Sequence, residues 1–215
     1  LLQSGRSIGI FQLKSGGMSK LLKRLKPDKL EDIIAVLALY RPGPLQSGYT
    51  EKYVQRKHSQ GDIDYDHPDL MPLLKDTYGV VVYQEQIMLI SQLIAGFTMG
   101  KADELRKAMG KKKEKMMLEL GEEFVKGAVA KGYDESWIQQ YYQELKEFGN
   151  YGFNKSHSAT YAINTYQTAY LKANYTVEYM CGLLIAYHEK PDLVKLYLNE
   201  SKSLSIPILP PNINK

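Results

Sequence analysis

Cysteine is almost absent from this 215-residue chain, with Cys181 its single example. That excludes an internal disulfide framework and any zinc site built from several thiolates. Cys181 lies in the apolar run Met180-Cys181-Gly182-Leu183-Leu184-Ile185, which predicts a buried, inert thiol. No apolar stretch reaches the ~18 residues a membrane-spanning helix needs, and no signal-peptide pattern opens the chain. The four histidines, at 58, 67, 157 and 188, have no second ligand four residues on, so no helix carries a zinc pair. A GxSxG nucleophile elbow is missing as well. Gly96-Phe97-Thr98-Met99-Gly100-Lys101-Ala102 falls short of a P-loop: its glycines are one residue too close, no Ser or Thr follows the lysine, and a helix rather than a strand precedes it. Asp62-Ile63-Asp64 has the spacing of a metal-binding pair but sits in a polar loop, where mobile carboxylates hold metals poorly. A complete active site is not present.

Hydrophobic residues make up 44% and charged residues 24% of the sequence, an ordinary balance for a soluble globular protein. The length is enough for a real core, in one domain or two small ones. Seventeen tyrosines against five phenylalanines favour half-buried helix faces and polar clefts, because tyrosine joins a packable ring to a polar tip. The net charge of +4 is unevenly spread. Arg6, Lys14, Lys20, Lys23, Arg24, Lys26 and Lys29 crowd the start against Asp28 alone, and a second basic run extends from Lys101 to Lys115. Such local excess suits a polyanion; a solvated helix face is the other reading of the same charges. The chain opens Leu1-Leu2-Gln3 and stops soon after Pro210-Pro211-Asn212, the look of a piece of a longer polypeptide.

The periodicity predicts helix after helix. Gly9–Leu13 alternates weakly and reads as a short strand. Gly17 opens a basic helix to about Lys26. Pro27-Asp28 starts another, with Leu30, Ile33, Ile34, Leu37 and Ala38 on one face. Tyr40-Arg41-Pro42-Gly43-Pro44 ends it in a rigid turn that holds Arg41 in a fixed direction. Residues 57–67 read as a surface loop, and Gly79–Tyr83 as a strand: β-branched and bounded by glycine. Gln84 then begins a helix that Gly96 ends. Further helices are expected at about 100–109, 112–131, 134–147, 156–173, 176–188 and 191–203. The fold class is mainly α, with a few short β-strands.

Phosphate-binding chemistry is the one positive signal. Gly149-Asn150-Tyr151-Gly152-Phe153-Asn154-Lys155-Ser156-His157-Ser158 runs from a helix through a glycine turn into the next helix. The following helix sets Ala159, Ala162, Ile163, Tyr166 and Tyr170 on one stripe, expected to be buried. Its first turn would then present Lys155, Ser156, His157 and free backbone N–H groups together, where the dipole favours anions. Asn154 and Ser156 are both capable caps. An ordinary capped helix with a solvated Lys155 is the alternative. A second basic cluster, Arg106 and Lys107 followed by Gly110 and then Lys111, Lys112 and Lys113, equally fits cations answering a helix C-terminus. Three consecutive lysines point different ways round a helix, so not all serve one ligand. Tyr83-Gln84-Glu85-Gln86, which joins the expected strand to its helix, is a further candidate; a polar first turn with Glu85 on its own helix dipole is the other reading.

Taken in order, several segments resemble the alpha subunits of bacterial DNA polymerase III across essentially the whole chain. They are Gly9-Ile10-Phe11-Gln12-Leu13 with Gly17-Met18, Leu37-Ala38-Leu39-Tyr40-Arg41-Pro42-Gly43-Pro44, Tyr78–Gln86, Leu105–Lys112, Tyr151–Ser158 and the closing Ile208–Asn214. The resemblance implies a mainly α fingers domain spanning 1–215: palm-proximal helices at 1–45, a nucleotide-binding body at 46–188 and the start of a following segment at 189–215. It implies a part of a DNA-directed DNA polymerase, cytoplasmic and without a membrane, that acts on deoxynucleoside triphosphates and primer–template DNA. The Mg²⁺ ions of such an enzyme would sit on palm aspartates upstream of Leu1, and catalytic residues would lie outside this chain. The sliding clamp and the proofreading exonuclease would likewise meet other regions. By likeness, Arg106, Lys107, Lys155, Ser156 and His157 would bind the nucleotide, with Arg41, Tyr151 and Asn154 behind them, and Lys111, Lys112 and Lys113 would meet DNA. Two positions depart from the family. Arg106-Lys107 stands where the family usually has two arginines, which removes the bidentate fork at 107. Phe148-Gly149-Asn150-Tyr151-Gly152-Phe153 moves a glycine, and Asn150 would keep the turn by tolerating a positive φ. Two other readings stay open: a self-standing helical nucleic-acid-binding module, and an interaction scaffold with no ligand.

Overall fold

Local side chains set where the helices begin. Ser15 accepts from the Met18 amide at 3.2 Å, Thr98 from that of Lys101 at 3.3 Å, and Asp134 from that of Trp137 at 2.8 Å. Each satisfies a donor that the first helical turn leaves unpaired. In the computed structural model, which describes residues 1–59, 63–210 and 213, these caps open three of the twelve α-helices found among the described residues. The helices are α1 (Gly16–Leu25), α2 (Leu30–Leu39), α3 (Pro42–Gln46), α4 (Tyr49–Lys57), α5 (Met71–Leu74), α6 (Gln84–Ala95), α7 (Met99–Gly110), α8 (Glu114–Ala130), α9 (Glu135–Gly149), α10 (Lys155–Asn174), α11 (Thr176–Ala186) and α12 (Pro191–Ser203). The expected helices thus form, with ends moved by a few residues. None among the described residues is long and apolar enough to cross a membrane.

Three expected features differ in the structure, the proline turn and both strands. The prolines at 42 and 44 stop α2, but Pro42 then begins α3, because a ring at the first helical position gives up no hydrogen bond. Neither expected strand exists: among the described residues the only β pairing is an isolated parallel bridge between Tyr83 and Phe153. Residues 9–13 form turns, with Gln12 at φ 63°. Residue Asp62 of the Asp62-Ile63-Asp64 pair lies outside the described residues, as do parts of the 57–67 loop and of the closing segment.

Backbone contacts divide the chain into two compact units, residues 34–159 and residues 1–33 with 160–215. In the first, Ile87, Ile90 and Ile94 of α6 pack with Leu105 and Met109 of α7, Phe124 of α8, and Ile138 and Phe148 of α9 in one contiguous core. Phe124 meets Phe97 edge-on at 5.9 Å and Tyr142 at 5.3 Å, geometries that suit the charge distribution of aromatic rings.

The second unit explains why residues 9–13 are not a strand. Side chains, rather than a neighbouring strand, take up the polar backbone there. Lys172 donates to the carbonyls of Arg6 (3.1 Å) and Ile8 (2.8 Å). Tyr179 donates to Gly9 O at 2.8 Å, Thr165 to Phe11 O at 3.2 Å, and Thr168 accepts from the Phe11 amide at 3.2 Å. Ile10 and Leu13 are thereby held in the core, 1% and 0% exposed.

The same bonds overturn the expected stripe on α10. Its buried residues are Ser158, Ala162, Thr165, Ala169 and Lys172, whereas Ile163, Tyr166 and Tyr170 are exposed. Small and hydrogen-bonded side chains let the helix sit close; the tyrosines face outward. Cys181 is also exposed rather than buried. On α11 it falls four residues from both Val177 and Ile185, which are exposed too, so the apolar run turns only part of its surface inward.

Lys172 is completely buried and meets the Glu200 carboxylate at 2.5 Å. A buried charge that loses its counter-charge is far more costly than the pair itself is favourable. Lys172→Met should therefore lower stability by about 3–5 kcal/mol, and adding Glu200→Leu should restore part of it. Denaturant unfolding of both variants checks this; a loss near zero for the single change would mean the pair does not hold the segment.

Candidate functional site

Every residue proposed above to meet nucleotide or DNA lies in the unit formed by residues 34–159. Its organising feature is that α6 and α10 begin side by side. At the parallel bridge, Phe153 N donates to Val82 O (3.3 Å) and Gln84 N donates to Phe153 O (3.0 Å). No ladder grows from this bridge because the neighbouring amides are already used: Val82 N and Tyr83 N both donate to the Gln86 side-chain oxygen, at 2.8 and 2.9 Å. Gln86 is buried and donates in turn to Thr77 Oγ1 at 2.8 Å. A side chain thus occupies the donors a second strand would have needed.

Three basic residues from separate stretches converge on the turn before α10. Arg41, in the extended residue before α3, donates through Nη2 to Tyr151 O at 2.5 Å and through Nε to Ala38 O at 2.7 Å. Its guanidinium lies 4.5 Å from the centre of the Phe153 ring. Burial pulls its pKa below the ordinary arginine value, which is high enough that the group stays charged. Arg106, near the end of α7, donates through Nη1 to the Gln84 side-chain oxygen at 3.0 Å, and Gln84 Nε2 donates to Gly152 O at 3.0 Å. Lys155 opens α10, with its ammonium 5.4 Å from the centre of the Tyr83 ring.

Acids already answer part of this charge. Asp103 Oδ1 accepts from Arg106 Nε at 2.8 Å and lies 2.7 Å from Nη2; Oδ2 lies 2.6 Å from the Lys107 ammonium. Hydrogen bonds from Lys107 and then Arg106 hold the Asp103 carboxyl below its usual range. At the start of α10 the Lys155 amide donates to both oxygens of Glu85 (3.1 and 3.2 Å), and Asn154 Nδ2 donates to Glu85 Oε1 at 2.8 Å. The expected free N–H groups are therefore not free: Glu85 reaches across from α6 to the neighbouring helix, instead of serving only its own. Asn154 is the cap, accepting from His157 N at 2.8 Å, and Ser156 lies within the helix. The His157 ring packs edge-on against Phe153 at 5.5 Å.

Arg41, Tyr151, Asn154, Lys155, Ser156 and His157 thus gather at one turn, and Arg106 joins them through Gln84. Lys107 is exposed and bound to Asp103. Lys111, Lys112 and Lys113 are exposed in the link between α7 and α8. The left-handed residue there is Lys112, at φ 51°, while Gly110 remains helical. Asn150 has φ −67°, so the displaced glycine of the Phe148–Phe153 turn calls for no positive φ. Gly149 is needed for space: a Cβ there would come within 2.6 Å of Met109 Cβ. The residues that sequence reasoning undervalued are Gln84, Glu85 and Asp103. Asp103 had a legible signal, an acid three and four residues before two cations. Gln84 and Glu85 stood in a segment the sequence singles out, but their partners were not legible, since these bonds cross about 70 residues. Among the described residues no three His, Cys, Asp or Glu side chains converge as a metal site would require.

The family described as the bacterial DNA polymerase III alpha subunit finger domain matches residues 1–132. DNA polymerase III subunit alpha of Aquifex aeolicus is 49% identical over 215 residues, all of this chain and 18% of that protein. The Campylobacter jejuni protein of the same name is 50% identical over 214 residues, again the whole chain and 18% of the relative. That of Bacillus subtilis is 47% identical over 215 residues, 19% of its length. The chain thus spans less than a fifth of these relatives.

Gly43 lies against Tyr151: a Cβ at Gly43 would come within 2.3 Å of the ring's Cδ1. Gly43→Ala should displace the ring and cost about 1–3 kcal/mol of stability, as overpacking does. Tyr151→Ala in the same chain should remove most of that cost. A thermal or denaturant unfolding cycle over the four proteins measures it, and equal penalties with and without the ring would show that the contact is not responsible.

Proposed function

The chain belongs to the bacterial DNA polymerase III alpha subunit finger domain family, and from that premise we propose that its 34–159 unit grips the triphosphate of an incoming deoxynucleotide during template-directed DNA synthesis. One observation carries the reading: Arg41, Arg106 and Lys155, from three distant stretches, converge on the turn that opens α10. A triphosphate asks for such a set, because its charge is spread over several oxygens and no single cation reaches all of them. Arg106 and Arg41 supply rigid forks, and Lys155 a mobile point charge beside the positive end of a helix dipole. Neutralising charge as pyrophosphate departs accelerates the transfer, since these groups act most strongly where charge develops.

The acids set the terms of binding. Phosphate oxygens must take over donors that Asp103 and Glu85 hold in the free protein. Nucleotide binding at this site is thus an exchange of one anion for another, with the cations already aimed. Lys155 has the most direct part, because its ammonium rests on a ring rather than on a carboxylate.

Catalysis in this reading belongs to the longer polypeptide, with its Mg²⁺ held by residues outside these 215; that metal supplies Lewis-acid charge to the phosphates. The exposed Lys111, Lys112 and Lys113 are assigned to the primer–template backbone, where point charges suffice. The divisions 1–45, 46–188 and 189–215 are divisions by role within the same proposal. So are a cytoplasmic setting and contacts of the sliding clamp and proofreading exonuclease with other regions.

Lys155→Gln in the intact subunit tests the proposal. It should lower kcat/KM for the nucleotide about 100-fold, the scale of losing one electrostatic contact to a transition state, with primer–template affinity within about twofold of the parent. Unaltered nucleotide kinetics would remove Lys155 from the site, and a parallel loss of DNA affinity would favour a nucleic-acid-binding surface instead.

A further inference from the structure

We propose that Gln84 is a positioning residue for this site, a side chain that fixes Arg106 relative to the turn opening α10. The inference rests on the triphosphate reading and deepens it, by naming what holds the two halves of the grip in register.

Arg106 lies 22 residues after Gln84, and Gly152 lies 68 residues after it. One primary amide joins them. Its oxygen accepts from Arg106 Nη1 and its nitrogen donates to Gly152 O, both at 3.0 Å, while the Gln84 backbone amide donates to Phe153 O at the same distance. The backbone bond anchors the residue at the bridge, so the side chain reaches out from a fixed origin. The guanidinium is then constrained twice. Asp103 takes Nε and Nη2 and ties the group to its own helix. Gln84 takes the remaining nitrogen and ties it to the turn.

The chemistry of the junction selects this side chain. It has to accept from a cation and donate to a carbonyl from the same end group, which a primary amide does and few other side chains can. A carboxylate would keep the first bond and set its oxygens against Gly152 O. A lysine or arginine would repel Arg106. A methionine fills a similar volume and makes neither bond. Positioning of this kind matters kinetically, because a misplacement of about 1 Å in a group that meets the reacting atoms costs on the order of 100-fold in rate.

The test is a kinetic cycle in the intact polymerase subunit, using Gln84→Met, Arg106→Ala and the double variant, with deoxynucleoside triphosphate and primer–template DNA titrated separately. Gln84→Met alone should lower kcat/KM for the nucleotide about 10-fold, the scale of one hydrogen bond to a charged group, with DNA affinity unchanged. In the Arg106→Ala background the same change should add less than about twofold, since there is no longer a guanidinium to aim. Full multiplication of the two losses would mean Gln84 acts independently of Arg106 and would overturn the inference. A neutral Gln84→Met beside a damaging Arg106→Ala would also overturn it while leaving the triphosphate reading intact. Nucleotide kinetics indifferent to Arg106→Ala would instead remove Arg106 from that reading, and the inference with it. Gln84→Glu covers the case in which the methionine variant does not fold. It keeps the acceptor for Arg106 and gives up the bond to Gly152, so a loss smaller than that of Arg106→Ala is expected, and parental kinetics would overturn the link to the turn.

Discussion

The site depends on one small piece of backbone pairing, the two hydrogen bonds that join Val82 and Gln84 to Phe153. They oblige α6 and α10 to begin at the same place. Once two helix starts are adjacent, side chains in the first turn of one reach the backbone of the other, as Glu85 reaches Lys155 and Gln84 reaches Gly152. The bridge is too short to be stable on its own. It persists because Gln86 ties down one side, and because Tyr83 and Val82 are buried at 3% and 1% exposure. A polar site is thereby referred to the hydrophobic core rather than to a loop, which is how cations can be aimed before any ligand arrives.

Aiming has an electrostatic consequence. Cations held in a cluster without counter-charges repel one another, and here the chain supplies its own anions. The Asp103 carboxyl titrates below the usual carboxylate range, so it is ionised at neutral pH. Whatever it contributes to stability is present above the pKa of an unfolded aspartate and is lost as pH falls through its lower folded value. Asp103 and its partners are partly exposed, and exposed pairs contribute little. The arrangement therefore orients Arg106 and Lys107 without binding them tightly, as the proposed exchange of a carboxylate for a phosphate requires.

The helices were legible because their signals are local. Apolar spacing, a Ser, Thr or Asp before the first turn, and Gly96 with its φ of 70° after α6 all act within a few residues. The two false strands show where such reasoning ends. Residues 9–13 and 79–83 have strand-like composition, but their polar groups are met by Tyr179, Thr165, Thr168 and Gln86, and nothing in the local sequence says so. The α10 stripe fails for a related reason. Tyr166 and Tyr170 have the correct period for a buried face, yet a face carrying Thr165 and Lys172 is the one buried, because those side chains have partners inside. The basic residues of the site were visible by type, and Lys155 and Arg106 by their places at helix ends. Their meeting point was not visible, because it is made by a glutamine with no composition or period to mark it.

The same geometry accounts for an order of residues that composition leaves arbitrary. Arg106 has Nε, Nη1 and Nη2 all engaged, two nitrogens toward Asp103 and one toward Gln84. A planar fork with donors on separate sides holds two acceptors in fixed, different directions. Lys107 has a single task, one carboxylate oxygen at 2.6 Å, which a point charge performs as well as a fork would. An Arg-Lys sequence satisfies both demands, and the reversed pair would leave the amide of Gln84 facing an ammonium already drawn toward Asp103. The two adjacent cations thus differ in how many directions each answers, although each brings the same charge.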